Sequence, residues 1–163
     1  MLKLFAHHIN VIQTHAEKDY PEECCGLLLG QLNGKTKLLV DVVPVENCWE
    51  TLASEQFLTA FGSTHLGHSK CDRFAISPQT MLQVQKQARD RALNVIGIYH
   101  SHPDQAAVPS EFDRAIAWER YSYIIVSVKQ GICEDLRTWS LDSTQQFQPE
   151  EILKIDTTPR TSE

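Results

Sequence analysis

Residues 94–103 read NVIGIYHSHP, and after a gap of six residues 110–113 read SEFD. The apolar first half of the longer segment predicts a buried strand that runs directly into His100. Because side chains two residues apart on a strand point to the same face, the imidazoles of His100 and His102 can reach one point in space. The end of this strand therefore predicts a site with two nitrogen ligands.

A carboxylate completes this site. Pro103 favours a turn, and the loop after it can return a helix opened by Ser110 over the strand end, where Asp113 supplies an oxygen ligand. Two histidines and one carboxylate, with a fourth position left to water, are typical of catalytic zinc, whereas structural sites use four protein ligands. We therefore predict that His100, His102 and Asp113 bind Zn²⁺, which would activate water and polarise a carbonyl.

Proton transfer requires a further group outside the metal ligands. The segment PEECCG at 21–26 leads into an apolar run, and Glu23 there is the candidate general base and acid, with Glu22 as its competitor. Ser110 is a candidate donor to the oxyanion that develops on an attacked carbonyl. S-x-x-D is also an ordinary helix-capping pattern, so Ser110 can serve as a cap as well.

The rest of the chain predicts a layered α/β or α+β domain. Two regions lack periodicity: 47–71 is predicted to be an inserted loop, and 143–163 is predicted to be a polar C-terminal tail with little core material. Apolar runs, helical spacing and turn residues predict the regular elements. These are a helix at 7–20, a hairpin formed by 25–30 and 37–44, a helix opened by Ser77, a helix at 110–118, and strands at 94–99, 123–128 and 136–141.

These motifs resemble those of the JAMM, or MPN-plus, zinc metalloprotease family. The signature of that family is a distant glutamate, then H-x-H-P, six variable residues and S-x-x-D, and every fixed position is present in this chain. The likeness extends over roughly 5–142 and includes a P-x-E-x-C-G register that selects Glu23 over Glu22. The chain is similar to the short, single-domain bacterial members.

The resemblance implies a cytidine-deaminase-like layered fold, with a mixed sheet flanked by helices and one JAMM domain over 1–142. It implies the roles given above for the zinc ligands, Glu23 and Ser110. The implied activity is hydrolysis of a peptide or isopeptide bond after the C-terminal glycine of a ubiquitin-like or sulfur-carrier protein, whose tail would dock on the 47–71 loop. A non-catalytic MPN-fold scaffold is the alternative function, although such scaffolds generally lack one or more ligands.

Two other classes of zinc enzyme do not fit the sequence. Nucleobase deaminases pair H-x-E with a later P-C-x-x-C, and this pair does not occur in the chain. Zincin proteases carry H-E-x-x-H on a helix, which is also missing. The H-x-H-P and S-x-x-D segments therefore favour the JAMM pattern among zinc hydrolases.

The five cysteines, two of them adjacent at 24–25, favour reduced thiols over a disulfide framework. The adjacent pair could include a thiol nucleophile, but buried cysteines are usually small apolar fillers. His65, His68 and Cys71, with Cys48 as a fourth ligand, have a spacing compatible with a second metal site. Solvated loop histidines are the more ordinary interpretation of that spacing.

Composition limits the partners and the location. A chain of 163 residues with 42% hydrophobic and 22% charged residues is typical of one globular domain. The net charge of −6 argues against nucleic acid as a partner and fits either a basic partner or simple solubility. No apolar run reaches the roughly 20 residues that cross a membrane, and no secretory signal begins the sequence, so a cytoplasmic protein is expected. The sequence does not specify the oligomeric state and leaves a homodimer open.

Overall fold

The computed structural model describes residues 1–54 and 67–156 of the chain. One sheet of eight strands forms its centre, and helices pack on both faces of this sheet. The strands are β1 Leu2–Phe5, β2 Cys25–Asn33, β3 Thr36–Val45, β4 Asn94–Pro103, β5 Ser122–Lys129, β6 Ile132–Leu141, β7 Phe147–Pro149 and β8 Ile152–Ile155. The helices are α1 Ala6–Asp19, α2 Trp49–Ser54, α3 Pro78–Asp90 and α4 Glu111–Ile116.

The strands follow the order β7-β6-β5-β4-β2-β3-β1-β8 across the sheet. β4 runs parallel to β5, and β1 runs parallel to both β3 and β8, whereas the other neighbouring pairs are antiparallel. The predicted mixed sheet flanked by helices is therefore confirmed. β4, which carries both predicted histidine ligands, lies in the interior of the sheet between β5 and β2.

Successive residues of β2 pack into two separate apolar clusters. Leu28 belongs to the cluster that contains Ile12 and Ala16 of α1. Leu27 belongs to the cluster that contains Val84 of α3. Successive side chains on a strand point to opposite faces, so a strand covered by helices on both sides is apolar at every position. This explains why β2 begins with an unbroken apolar run.

Hydrogen bonds confirm the local signals at the predicted helix starts and at the hairpin. Ser77 Oγ accepts a hydrogen bond of 3.1 Å from the backbone N–H of Thr80, which begins α3. Ser110 caps α4 in the same way, although α4 ends at Ile116, earlier than predicted. β2 and β3 form the predicted hairpin, and Gly34 in its turn has a φ of 60°. None of the helices in the described ranges is long and apolar enough to cross a bilayer.

The region 47–71, predicted to be an inserted loop, begins with regular structure. Helix α2 lies within it, and Asn47 and Trp49 are buried. Asn47 and Trp49 therefore belong to the core, and residues 55–66 lie outside the described part of the chain. Helical periodicity could not reveal α2, because a helix of six residues has too few turns to establish a repeat.

The region 143–163, predicted to be a polar tail, contributes β7 and β8 to the sheet. Phe147 and Ile152 are partly buried and pack against the two apolar clusters, while no residue in 143–156 is fully buried, so this region extends the sheet and adds little to the core. β1 is likewise absent from the predicted elements. These three strands are three or four residues long, which is too short for alternation to be distinguished from chance.

Candidate metal centre

Three buried side chains converge at the end of β4. His100 Nε2 lies 3.0 Å from His102 Nε2, and each nitrogen lies 3.2 Å from a different carboxylate oxygen of Asp113. β4 presents both imidazoles on one face, as predicted, and α4 supplies the carboxylate. Within residues 1–54 and 67–156, this is the one group of three side chains with the spacing of metal ligands.

A hydrogen bond to the backbone sets the tautomer of His102. Its Nδ1 lies 2.8 Å from the carbonyl oxygen of Ala106, and since a carbonyl only accepts, Nδ1 carries the proton. In the neutral imidazole, Nε2 then presents a lone pair toward His100 and Asp113. His102 Nε2 and Asp113 Oδ2 are then two acceptors that face each other across 3.2 Å, an arrangement that favours a cation between them. Tetrahedral zinc, with bonds of about 2.0–2.1 Å, spaces its ligand atoms about 3.3–3.4 Å apart, so this donor set fits the ion.

The first turn of α4 orients the Asp113 carboxylate. The Ser110 backbone N–H donates to Asp113 Oδ2 at 2.8 Å, and the Asp113 N–H donates to Ser110 Oγ at 3.1 Å. Burial alone would raise the pKa of Asp113, but the adjacent His100 and His102 hold it well below its usual range. Burial lowers the pKa of His100 and so favours the neutral imidazole that a metal requires.

Glu23 is buried beside this cluster, whereas the competing Glu22 is exposed. Burial raises the pKa of the Glu23 carboxyl well above its ordinary value, the charge of Asp113 adds to this effect, and Arg73 opposes it. A cavity of about 350 Å³ is lined by Glu23 together with His102 and Ser110. The cavity therefore brings the predicted proton carrier, a predicted ligand and the predicted oxyanion donor to one space.

A buried asparagine ties Glu23 to Arg73 in the wall of this cavity. Asn47 Nδ2 donates to the Glu23 carbonyl at 3.0 Å and to the Arg73 carbonyl at 2.9 Å. Asn47 Oδ1 accepts hydrogen bonds from the backbone N–H groups of Trp49 and Ala75. The amide thus uses both of its donors and both of its acceptor positions. Sequence reasoning missed Asn47 because it assigned the residue to an inserted loop.

The chain matches the family model described as prokaryotic homologs of the JAB domain over residues 5–142. It belongs to the prokaryotic JAB family. The matched range contains the whole cluster on β4 and α4, and it agrees with the extent of the JAMM resemblance seen in the sequence. The recognition of a JAMM/MPN-type domain from the two short motifs is therefore confirmed.

Two relatives of known name resemble this JAB protein at similar identity. The desampylase of Haloferax volcanii is 28% identical over 131 residues, which cover 77% of this chain and 80% of that protein. Tail tip assembly protein K of Escherichia phage N15 is 28% identical over 136 residues, which cover 80% of this chain but only 41% of the phage protein.

Solved structures share the fold. A protein from Desulfitobacterium hafniense has a TM-score of 0.75 at 24% identity, covering 99% of this chain and 97% of its own. A protein from Salinibacter ruber has a TM-score of 0.66 at 26% identity, with coverages of 98% and 94%. A JAB1/MPN domain protein from Archaeoglobus fulgidus has a TM-score of 0.52 at 15% identity, with coverages of 95% and 95%. These similarities support the JAB/MPN architecture.

Within this JAB domain, Ser101 joins the Glu23 segment to β4. Ser101 is fully buried between the two histidines, and its Oγ accepts a hydrogen bond of 2.8 Å from the Cys24 N–H. Its own N–H donates to the Cys24 carbonyl at 3.1 Å. Because Cys24 directly follows Glu23, these two bonds fix the backbone of the predicted proton carrier relative to β4. Sequence reasoning treated Ser101 only as the variable position of H-x-H-P.

The adjacent cysteines of the JAB domain are buried and free. Burial raises the pKa of the Cys24 thiol to about 12 and raises the pKa of Cys25 well above its ordinary value. A nucleophilic cysteine needs a thiolate, which such burial disfavours. Their interpretation as small apolar fillers is therefore the one that the structure supports.

The residues considered for a second metal site do not form a ligand group in the described part of the chain. His68 Nδ1 lies 2.5 Å from an Asp72 carboxylate oxygen, and its Nε2 lies 3.2 Å from an Arg73 guanidinium nitrogen. Both ring nitrogens are thus engaged by protein groups. Cys71 is exposed, and His65 lies outside the described residues.

Proposed function

We propose that this protein is a zinc-dependent peptidase or isopeptidase that hydrolyses the amide bond after the C-terminal glycine of a ubiquitin-like or sulfur-carrier protein. The observation that carries the proposal is the convergence of two imidazole nitrogens and one carboxylate at 3.0–3.2 Å beside a buried glutamate. This combination supplies the ligands of an open catalytic zinc site together with a proton carrier.

His100, His102 and Asp113 would hold the zinc. When bound there, zinc would act as a Lewis acid on a carbonyl and would activate water as a nucleophile. The chain prepares its ligands for this role through their neighbours, because Ala106 fixes the His102 tautomer and Ser110 orients the carboxylate. Such supporting contacts commonly decide metal affinity.

Glu23 would move the protons of the reaction. Its carboxylate accepts a proton from the attacking water and then donates it to the nitrogen of the leaving amine. Burial supports this role, since it raises the pKa of Glu23 toward the range in which a group can both accept and release a proton. Asn47 and Ser101 hold the peptide group between Glu23 and Cys24, because Asn47 donates to its carbonyl and Ser101 accepts from its N–H, and this limits the positions that the Glu23 side chain can take.

Ser110 would assist at the carbonyl oxygen of the substrate. Its Oγ accepts a hydrogen bond from Asp113, which leaves the hydroxyl proton free to donate into the cavity that Ser110 lines. A donor aimed at the oxyanion stabilises the charge that develops during attack. The predicted dual role of this residue, as helix cap and as oxyanion donor, is compatible with these contacts.

Similarity to a protein named desampylase supports an enzymatic role over a purely structural one. The substrate proposed here, a carrier whose tail ends in glycine, follows from the JAMM resemblance of the motifs. A non-catalytic scaffold of the same fold is the alternative, and loss of a ligand would favour it. All four proposed ligand and proton-transfer residues are present in this chain.

Cleavage of a defined carrier tests the proposal. The zinc-loaded protein is incubated with ubiquitin-like and sulfur-carrier proteins that bear a C-terminal extension after Gly-Gly, and intact mass is followed over time. We expect release of the extension, and a loss of roughly 10²-fold or more in kcat with Glu23→Gln at unchanged zinc content. Glu22→Gln is the matched control and retains turnover. Failure to cleave any carrier or isopeptide-linked substrate would support the scaffold.

A further inference from the structure

The three side chains of the cluster differ in what holds them. The Ala106 carbonyl fixes the ring of His102, and the Ser110 N–H fixes the carboxylate of Asp113. His100 has no contact of this kind, because its buried Nδ1 has no hydrogen-bond partner in the described part of the chain. An imidazole that binds a metal usually donates a hydrogen bond through its second nitrogen. The orientation of the His100 ring therefore depends on a different contact.

The ring of Phe74 supplies this contact. Its centre lies 4.5 Å from the centre of the His100 ring, and the two planes are inclined by only 23°, so the rings are stacked. Both residues are buried. Stacked rings attract each other beyond the effect of the area that they bury, and a close-packed interior leaves a side chain little freedom to rotate. Phe74 thus restrains the plane of the His100 imidazole.

Hydrogen bonds on both sides of Phe74 fix its backbone. Asn47 Nδ2 donates to the Arg73 carbonyl at 2.9 Å, and Asn47 Oδ1 accepts from the Ala75 N–H at 3.2 Å. The Cys48 N–H donates to the Ala75 carbonyl at 2.8 Å. Because Arg73 and Ala75 flank Phe74, these bonds anchor the segment that carries the ring. A ring on an anchored segment can define the position of a neighbouring ligand.

Stacking on Phe74 also favours the metal-bound form of His100. The face of a phenyl ring carries negative charge density, and it attracts a positively charged group above it. An imidazole becomes more positive when its Nε2 binds a divalent cation, so the attraction to the phenyl face increases. For His100, the stacking contact takes the place of the hydrogen bond that His102 makes with the Ala106 carbonyl.

We propose that Phe74 is a positioning residue for zinc, which holds the His100 imidazole in the plane from which Nε2 reaches the ion and thereby raises zinc affinity. The inference rests on the zinc site proposed above and assigns a role to a residue that is not one of its ligands. Loss of the phenyl face should raise the Kd for zinc about tenfold, at the lower end of the range for loss of a contact that supports a metal ligand.

The zinc affinity of the protein tests this inference without any substrate. Metal-free protein competes with a chromophoric chelator for zinc, and the Kd is measured for the native chain, Phe74→Leu and Phe74→Tyr. Phe74→Leu keeps an apolar side chain without an aromatic face, and its Kd should rise about tenfold. Phe74→Tyr keeps the face, and the cavity of about 440 Å³ that Phe74 lines has room for the hydroxyl. Its Kd should stay within about threefold of the native value, a difference of less than 1 unit in log Kd.

Phe147→Leu is the matched control. Phe147 packs against the apolar cluster that contains Phe74, but its ring meets the edge of Tyr123 at 5.3 Å instead of a ligand. The substitution removes the same atoms next to the same cluster, and it should leave the Kd for zinc unchanged. A general loosening of the core would raise the Kd of both leucine variants, whereas positioning by Phe74 raises the Kd of one.

NMR of the native protein provides a measurement that needs no variant and so does not depend on whether Phe74→Leu folds. The phenyl face should shift the carbon-bound ring protons of His100 upfield in the zinc-loaded protein. A slowly exchanging Nδ1 proton on His100, shifted downfield by a hydrogen bond, would overturn the inference, because that hydrogen bond would then orient the ring.

The affinities separate this inference from the zinc site itself. The same Kd for Phe74→Leu as for the native protein, or an equal rise for Phe74→Leu and Phe147→Leu, would overturn the role of Phe74 and leave the zinc site intact. Absence of zinc binding by the native protein would refute the zinc site and this inference with it.

Discussion

The substitution Asn47→Asp tests whether the two hydrogen bonds from the Asn47 amide hold the Glu23 and Arg73 backbones together. Aspartate has the same shape as asparagine and keeps the acceptor oxygen that bonds Trp49 and Ala75, but it lacks the amide nitrogen. Two hydrogen bonds, of 3.0 and 2.9 Å, are thereby removed, and a carboxyl oxygen is brought against two carbonyl oxygens. The site is 7% exposed, so water compensates poorly for the loss.

The cost can be worked from these contacts. Each lost bond is worth about 1 kcal/mol, and leaving buried acceptors unsatisfied adds a further penalty, so the free energy of unfolding should fall by about 2–4 kcal/mol. With an m-value of about 2 kcal/mol/M, the midpoint of urea unfolding should move down by about 1–2 M.

Urea unfolding of the native chain and of two variants measures this change. Asn10→Asp, at an exposed position of α1, is the matched control and should alter stability by less than about 0.5 kcal/mol. A midpoint for Asn47→Asp within 0.2 M of the native value, on the order of the experimental error, would refute the reasoning that this amide joins the two cavity residues.

Three further predictions follow from the site. Burial raises the pKa of Glu23, so in metal-free protein the folded chain holds the Glu23 proton more tightly than the unfolded chain does. The free energy of unfolding should therefore fall as the pH rises from about 4.5. Urea unfolding of a Glu23→Gln variant at several pH values should not show this decline. Zinc bound beside Glu23 would favour its carboxylate and lower its pKa, so the acidic limb of the pH profile of kcat/KM in zinc-loaded protein should lie below the pH range of the decline measured without metal. Coincidence of the two ranges would contradict a zinc ion beside Glu23. Ser101→Ala leaves the buried Cys24 N–H without its partner at 2.8 Å, so we expect a loss of about 1–3 kcal/mol in thermal or urea unfolding, and an unchanged stability would show that water replaces the hydroxyl.

The cluster of His100, His102 and Asp113 was predictable because local rules determine it. The period of a strand places His100 and His102 on one face, and the cap at Ser110 places Asp113 in the first turn of a helix. Both inferences need only a few neighbouring residues. Glu23 is buried and Glu22 is exposed, a difference that depends on the packing of distant elements. From the sequence alone, only the P-x-E-x-C-G register of the family favoured Glu23 over Glu22.

The missed features depend on contacts between distant parts of the chain. Asn47 acts by bridging backbone groups of residues 23 and 73, which no local pattern encodes. Ser101 likewise gains its role only when β2 pairs with β4. β7 and β8 are too short for a periodic signal and form because the edges of the sheet offer them partners. Local sequence reasoning thus predicted the His–His–Asp cluster, whereas most of the contacts that support this cluster became visible only in the structure.

Metal content tests the account most directly, because every proposed role depends on His100, His102 and Asp113 sharing one ion. The purified protein is dialysed against zinc, freed of loosely bound metal and analysed by mass spectrometry of the elements, alongside His100→Ala, His102→Ala and the remote His7→Ala. We expect about one zinc per chain in the native protein and in His7→Ala, and almost none in the other two. Native protein without zinc, or full zinc content after loss of either ligand histidine, would contradict the account.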